Sequence, residues 1–149
     1  MPSSFPIVSV VIPTYNRELL LSRALKSVVD QSYTNWEAIV VDNHSQDNTD
    51  EVIYNFGDSR IKLLKIHNKG IIAASRNLGI KAACGDWIAF LDSDDWWSPI
   101  KLERSLQFLN SGADIVYHDL FIVKNEKQKY FWKRAKTFQV HKPAYEHLI

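Results

Sequence analysis

Four short apolar runs, each ending in a polar turn and each followed by a stretch of helical spacing, limit what this chain can fold into. Ile7–Ile12 reads IVSVVI and lies between Pro6 and Pro13; Trp36–Val41 reads WEAIVV; Ile61–Ile66 reads IKLLKI; Trp87–Leu91 reads WIAFL. Runs this short, rich in β-branched and aromatic residues and bounded by turn residues, read as strands. The lysines inside the third run place it near a sheet edge.

The stretches between the runs have the period of helices. Leu19, Leu20, Ala24, Leu25 and Val28 fall on one helical face, with Asn16 as the expected N-cap. Asp47, Asn48 or Thr49 can cap a second helix that runs through Phe56 and stops at Gly57-Asp58. Ile71–Ala83 is an alanine-rich third helix. Ser98 is the expected cap and Pro99 the first residue of a fourth, with Leu102, Leu106 and Leu109 inward and Ser111-Gly112 as its stop. Residues 114–123 are a last strand candidate. Strand alternating with helix predicts an α/β fold: a Rossmann-like open, mostly parallel sheet with helices on both faces.

In such sheets ligands bind outside the carboxyl ends of the strands. Thr14, Asp42, Asn68 with Gly70, and Asp92 with Asp94 follow the four runs in turn. A solvated loop explains any one of these, and a shared cleft explains all of them. Asp92 and Asp94 are two residues apart, so at a strand end they project to one side. Two such carboxylates suit Mg²⁺ or Mn²⁺. The alternative is an acidic turn capping the helix that follows, a role open to Asp95 as well.

Composition narrows the class. The 149 residues suit one domain with a real core, residues 1–123, followed by a different segment, 124–149. The first part holds 11 Lys/Arg against 15 Asp/Glu; the second holds 7 against 2 and mixes them with Tyr130, Phe131, Trp132 and Phe138. That basic, aromatic segment reads as a connector to a second half beyond residue 149. Peripheral contact with anionic lipid is the competing reading. No nucleic-acid motif accompanies it, so no nucleic-acid partner is expected. A lone cysteine, Cys84, fits a reducing, cytoplasmic setting, at most peripheral at the inner face of the plasma membrane. No apolar run reaches the ~18 residues of a membrane span. The five histidines lack zinc spacing.

The segments VSVVIPTYNR, AIVVDNHSQDNT, the NKG turn, SRNLGIKAACGDWIAFLDSDDWW and SPIKLE together resemble the family 2 glycosyltransferases of GT-A fold, over residues 7 to 109. The resemblance implies a cleft for a nucleotide sugar, usually a UDP-sugar, held with Mn²⁺ or Mg²⁺. It makes Asp94 the metal ligand and sets Asp92 at the ribose and the metal shell, beside Ser93. Pro13, Thr14 and Tyr15 would line the base, and Asp42 would accept the uracil N–H; the alternative for Asp42 is a turn with Ser45. Arg76 would meet the base edge or the diphosphate, or else form a salt bridge to one of the acids, and Asn77 would fix the acidic loop. Trp96-Trp97 would stack on a sugar or serve as core.

The implied activity is inverting transfer of a sugar to a hydroxyl of a glycan or lipid-linked acceptor, in surface polysaccharide or lipopolysaccharide synthesis. The catalytic base stays unknown. Glu103, Asp114, Asp119, Glu126 and Glu146 are the remaining acids, and no motif places any of them. The chain is therefore expected to bind donor and to transfer poorly or not at all. Two alternatives stand: a non-catalytic nucleotide-sugar-binding module, and a metal-dependent phosphatase. The second wants an Asp directly after the first strand, where this chain has Pro13-Thr14.

Overall fold

Every residue of the first two strands is buried, which puts them at the centre of the sheet. They are β1 (Val8–Thr14) and β2 (Trp36–Asp42). The computed structural model describes residues 7–118, 123–124 and 127–128. β3 (Ile61–Lys65) pairs with β2, and β4 (Trp87–Phe90) pairs with β1. The order is β3-β2-β1-β4, all parallel. Thr14 lies level with Asp42, and Asp42 with Lys65, so the strand ends share one edge.

The helices are α1 (Glu18–Val29), α2 (Thr49–Phe56), α3 (Ile72–Ala82) and α4 (Lys101–Asn110). α1 buries Leu21, Ala24, Leu25 and Val28. The expected face is right at Ala24, Leu25 and Val28 but wrong at its start, where Leu19 is exposed, Leu20 is half-buried and Leu21 turns inward instead. α3 packs on β1 and β2. Gly79 makes that approach possible, since a Cβ there would lie 2.4 Å from Val11 Cγ1. Gly57 ends α2 in the left-handed conformation that glycine adopts without a steric penalty.

The chain divides into two compact units, Met1–Glu103 and Arg104–Ile149. In the second, β5 (Val123–Lys124) and β6 (Lys127–Gln128) form an antiparallel pair. Residues 114–118 are not strand, so the strand expected over 114–123 does not form there. Asp119, Glu126, Glu146 and the aromatic residues of the basic segment lie outside the described residues.

Three capping expectations are corrected. Asn16 does not cap α1: Arg17 is the N-cap residue, and Asn16 sits at φ 49° with its Oδ1 accepting from Gln46 N at 2.7 Å. The cap comes from another loop, because Asp47 Oδ2 accepts from Glu18 N at 2.9 Å while Glu18 Oε2 accepts from Asn48 N at 2.7 Å. Asp47 Oδ1 also accepts from Thr49 N and Oγ1, so one carboxylate serves both helix starts. Burial pushes the Asp47 carboxyl up, but these donors outweigh it and hold it below the ordinary range. Nor does α4 start at Ser98-Pro99. It begins at Lys101, and Gln31 Oε1 takes up Leu102 N at 2.9 Å while Gln31 Nε2 donates to Ser98 O at 2.7 Å. Asp95, six positions before Lys101, therefore does not cap α4.

The opposite end of the sheet carries its own network. Glu37, 4% exposed, accepts from Ser9 Oγ at 2.6 Å, Lys62 Nζ at 2.8 Å and Cys84 N at 2.7 Å. Ser9 Oγ in turn accepts from Gly85 N at 2.9 Å. A Cβ at Gly85 would lie 2.8 Å from Ser9 N. Burial raises the Glu37 carboxyl, but its three donors win and hold it below the usual range.

Candidate donor-binding site

Strained backbone gathers at one edge. Among the described residues, three non-glycine residues have positive φ: Asn16 (49°), His44 (54°) and Lys69 (51°). They follow β1, β2 and β3 in turn, at the carboxyl ends. Left-handed non-glycine backbone costs energy and persists where the surroundings hold it, commonly at functional loops.

Here the loops hold one another. Asn43 N donates to Thr14 O at 3.0 Å, and Asn16 N to Ser45 Oγ at 2.8 Å, joining the first two. Asn68 N donates to Asn43 Oδ1 at 2.9 Å, and the His44 and His67 rings stack at 3.8 Å, joining the second and third. Asn68 Nδ2 donates to Ser75 Oγ at 2.9 Å, which ties the third loop to α3. Arg76 Nη2 on α3 donates to Asp92 Oδ1 at 2.7 Å. Arg23 Nη2 donates to Asp94 O at 2.7 Å, and Arg17 Nη1 binds the Asp94 carboxylate, returning the circuit to α1.

Within this ring Asp42 is fully buried. Its oxygens accept Ser45 N at 3.1 Å, Ser45 Oγ, and Lys65 Nζ at 2.8 Å. Lys65 also binds Asp50. Burial lowers the Lys65 ammonium, but its two carboxylates outweigh that and raise it. The turn with Ser45, one of the two readings of Asp42, describes its bonds in this state. Likewise Arg76 is paired with an acid. Its Nε is buried without a partner, as is Thr14 Oγ1. Trp36 Nε1 is the third such atom among the described residues, and it lies at the other end of the sheet. Buried polar groups are ordinarily hydrogen-bonded, so the two at this edge call for a partner that the protein itself does not supply.

The acidic residues lie in a turn beyond β4, and different helices hold them: Arg76 of α3 binds Asp92, while Arg17, the N-cap residue of α1, and Arg23 of α1 bind Asp94. Asp92 and Asp94 side chains are 44% and 48% exposed, and Ser93 between them is buried. Pro13 is buried, and Tyr15 is half exposed at the rim. Burial raises the Asp95 carboxyl, and the charges of Asp94 and Asp92 raise it further, against Arg23. Asn77 is exposed on α3, and none of the bonds holding this turn comes from it, so the role expected for Asn77 is not seen. The Trp97 side chain is core and its backbone N–H donates to Ser27 Oγ at 3.1 Å, while Trp96 lies under Arg23 at 4.0 Å.

The donor set fits a hard divalent ion. Two half-exposed carboxylates share a strand mouth, and each already binds a cation, a guanidinium. Among the described residues no cluster of three or more His, Cys, Asp or Glu forms a cage. Ions of the Mg²⁺ type are commonly held by one or two carboxylates and completed by substrate phosphates and water. Sequence reasoning overlooked Arg17, Arg23 and Lys65. Arg17 directly follows PTYN, which is the signal that could have found it, but its partner lies 77 positions away.

The sequence profile named glycosyl transferase family 2 matches residues 9–148. The chain belongs to this family. It is 42% identical over 120 residues to WfgD of Escherichia coli, a UDP-Glc:alpha-D-GlcNAc-diphosphoundecaprenol beta-1,3-glucosyltransferase, covering 80% of this chain and 47% of that protein. Among solved structures, TarS of S. aureus in complex with UDP-GlcNAc is 28% identical with a TM-score of 0.63, covering 70% of this chain and 31% of that one. The mannosyltransferase PcManGT from Pyrobaculum calidifontis, in complex with GDP-Man and Mn²⁺, is 25% identical with a TM-score of 0.64, covering 72% and 33%. The family 2 chain thus has the GT-A fold, and it spans about half the length of the curated relatives it matches.

Proposed function

We propose that this family 2 chain supplies the donor side of a glycosyltransferase, binding a UDP-sugar with Mn²⁺ or Mg²⁺ for transfer, with inversion, to a hydroxyl of a glycan or lipid-linked acceptor. One observation carries the reading: the ring of bonded loops brings Asp42, Arg76, Asp92 and Asp94 to a single sheet edge. The UDP-GlcNAc complex of TarS and the acceptor in the WfgD name support it; the setting that goes with the reading is surface-polysaccharide synthesis in the cytoplasm or at its membrane face.

Asp94 and Asp92 would hold the divalent ion, which when bound stabilises charge on the departing diphosphate. Ser93, buried between them, would join them at the nucleotide sugar. Thr14 Oγ1 and Arg76 Nε, both buried and unpartnered, offer hydrogen bonds to the nucleotide. Pro13 and Tyr15 form the wall on which the base lies. Asp42 would exchange a Ser45 bond for the uracil N–H while keeping its bond from Lys65.

No described acid is placed as the acceptor's base. Glu103 accepts from Ser32 Oγ at 2.7 Å, and Asp114 is exposed outside any strand. The base that activates the acceptor is accordingly placed among groups outside the described residues. Calorimetric titration with UDP, GDP and ADP in Mn²⁺ tests the base assignment. UDP should bind tightest, and Asp42→Ala should weaken UDP by about 1.5–3 kcal/mol while leaving ADP little changed. Equal affinity of the wild type for the three nucleotides would contradict it.

A further inference from the structure

Arg17 is the N-cap residue of α1, one position past the left-handed Asn16. Its backbone carbonyl accepts from Leu21 N at 2.8 Å, so the main chain is held by the helix whatever the side chain does. The guanidinium is free of the core. It is 46% exposed, and among the described residues its one hydrogen-bond partner is the Asp94 carboxylate. An ion pair as exposed as this is weak and easily exchanged. Arg76 on Asp92 differs, because its Nε is buried.

Two cations therefore compete for one carboxylate. A divalent ion at Asp94 outbids a single guanidinium in charge and repels it. The nearest new anion is then the diphosphate that completes the ion's shell, and a planar guanidinium matches phosphate oxygens better than any other side chain. Resting on the donor-site reading above, we infer that Arg17 is a donor-binding residue that exchanges anions. It neutralises Asp94 in the free protein, yields it to the divalent ion, and moves to the diphosphate.

The exchange predicts effects of opposite sign from one substitution. In Arg17→Gln, Mn²⁺ without nucleotide should bind about three- to tenfold tighter, read from the electron paramagnetic resonance signal of free Mn²⁺. UDP at saturating Mn²⁺ should bind about tenfold weaker by calorimetry. Lys26→Gln removes one positive charge from the same helix, at a residue paired with Asp30 rather than Asp94, and should change Mn²⁺ affinity less than about twofold. A purely structural role for Arg17 would weaken both ligands together. Unchanged or weaker Mn²⁺ binding in Arg17→Gln overturns the exchange, as does unchanged UDP binding or an equal Mn²⁺ gain in Lys26→Gln. Failure of the wild type to bind UDP at any Mn²⁺ concentration overturns the donor site itself, and the exchange with it.

Discussion

The two ends of one parallel sheet are built to different rules. At the amino end, Glu37 gathers Ser9, Lys62 and the Cys84 N–H in a buried, closely spaced network, and Gly85 lets β4 lie against β1. At the carboxyl end, among the described residues, the acids are half exposed or share their partners, three residues are held left-handed, and two buried polar atoms have no partner. The first end is arranged for stability. The second gives up stability to leave groups available, the trade expected at binding sites.

The comparison breaks most visibly at Glu37. Glu37→Ala strands the Ser9 hydroxyl and the Cys84 N–H, and chemical denaturation should show a loss of about 3 kcal/mol. UDP affinity of the folded fraction should be preserved. Gly79→Ala should come next, at about 2 kcal/mol, because its Cβ would collide with Val11. Val11→Ala in the same chain should recover part of that cost, and additive losses would contradict the contact. Thr14→Val should behave oppositely. Removing an unpaired buried hydroxyl should raise stability by about 1 kcal/mol while weakening UDP. A loss of stability there would mean the hydroxyl already has a partner.

Acid sharpens the contrast further. The Glu37 and Asp47 carboxyls lie below their unfolded values. Their contribution is therefore complete above the unfolded carboxylate range, about pH 4, and is lost as pH falls through the folded values. Asp95 is shifted upward, so its charge opposes folding at neutral pH and that opposition fades on acidification. Stability measured from pH 7 to pH 3 should fall below about pH 4, and Glu37→Gln should flatten the fall.

Much of this was legible in the sequence. The β-branched runs gave the strands, because a central parallel strand buries both faces and must be apolar throughout. The lysines of IKLLKI marked β3 as an edge, where it lies. The polar ends of the runs pointed to one shared edge, since parallel topology puts every carboxyl end on one side. What escaped was contact at long range. Asn16 and Ser98 looked like caps because cap propensity is local, whereas Asp47 and Gln31 do the capping from other loops. Nothing local to PTYNR shows that Arg17 reaches Asp94, or that Lys65 reaches Asp42. The strand expected over 114–123 failed at 114–118, where mixed patterning gave no period to follow.

Asp92 and Asp94 are proposed to hold a divalent ion through which a UDP-sugar is bound at the carboxyl edge. Titrating UDP calorimetrically into the wild type and Asp94→Asn, in Mn²⁺ and in EDTA, tests it most directly. The wild type should bind UDP in Mn²⁺ and lose most of that affinity in EDTA, and Asp94→Asn should bind weakly and equally in both. UDP affinity that is the same with and without Mn²⁺ in the wild type would contradict the account.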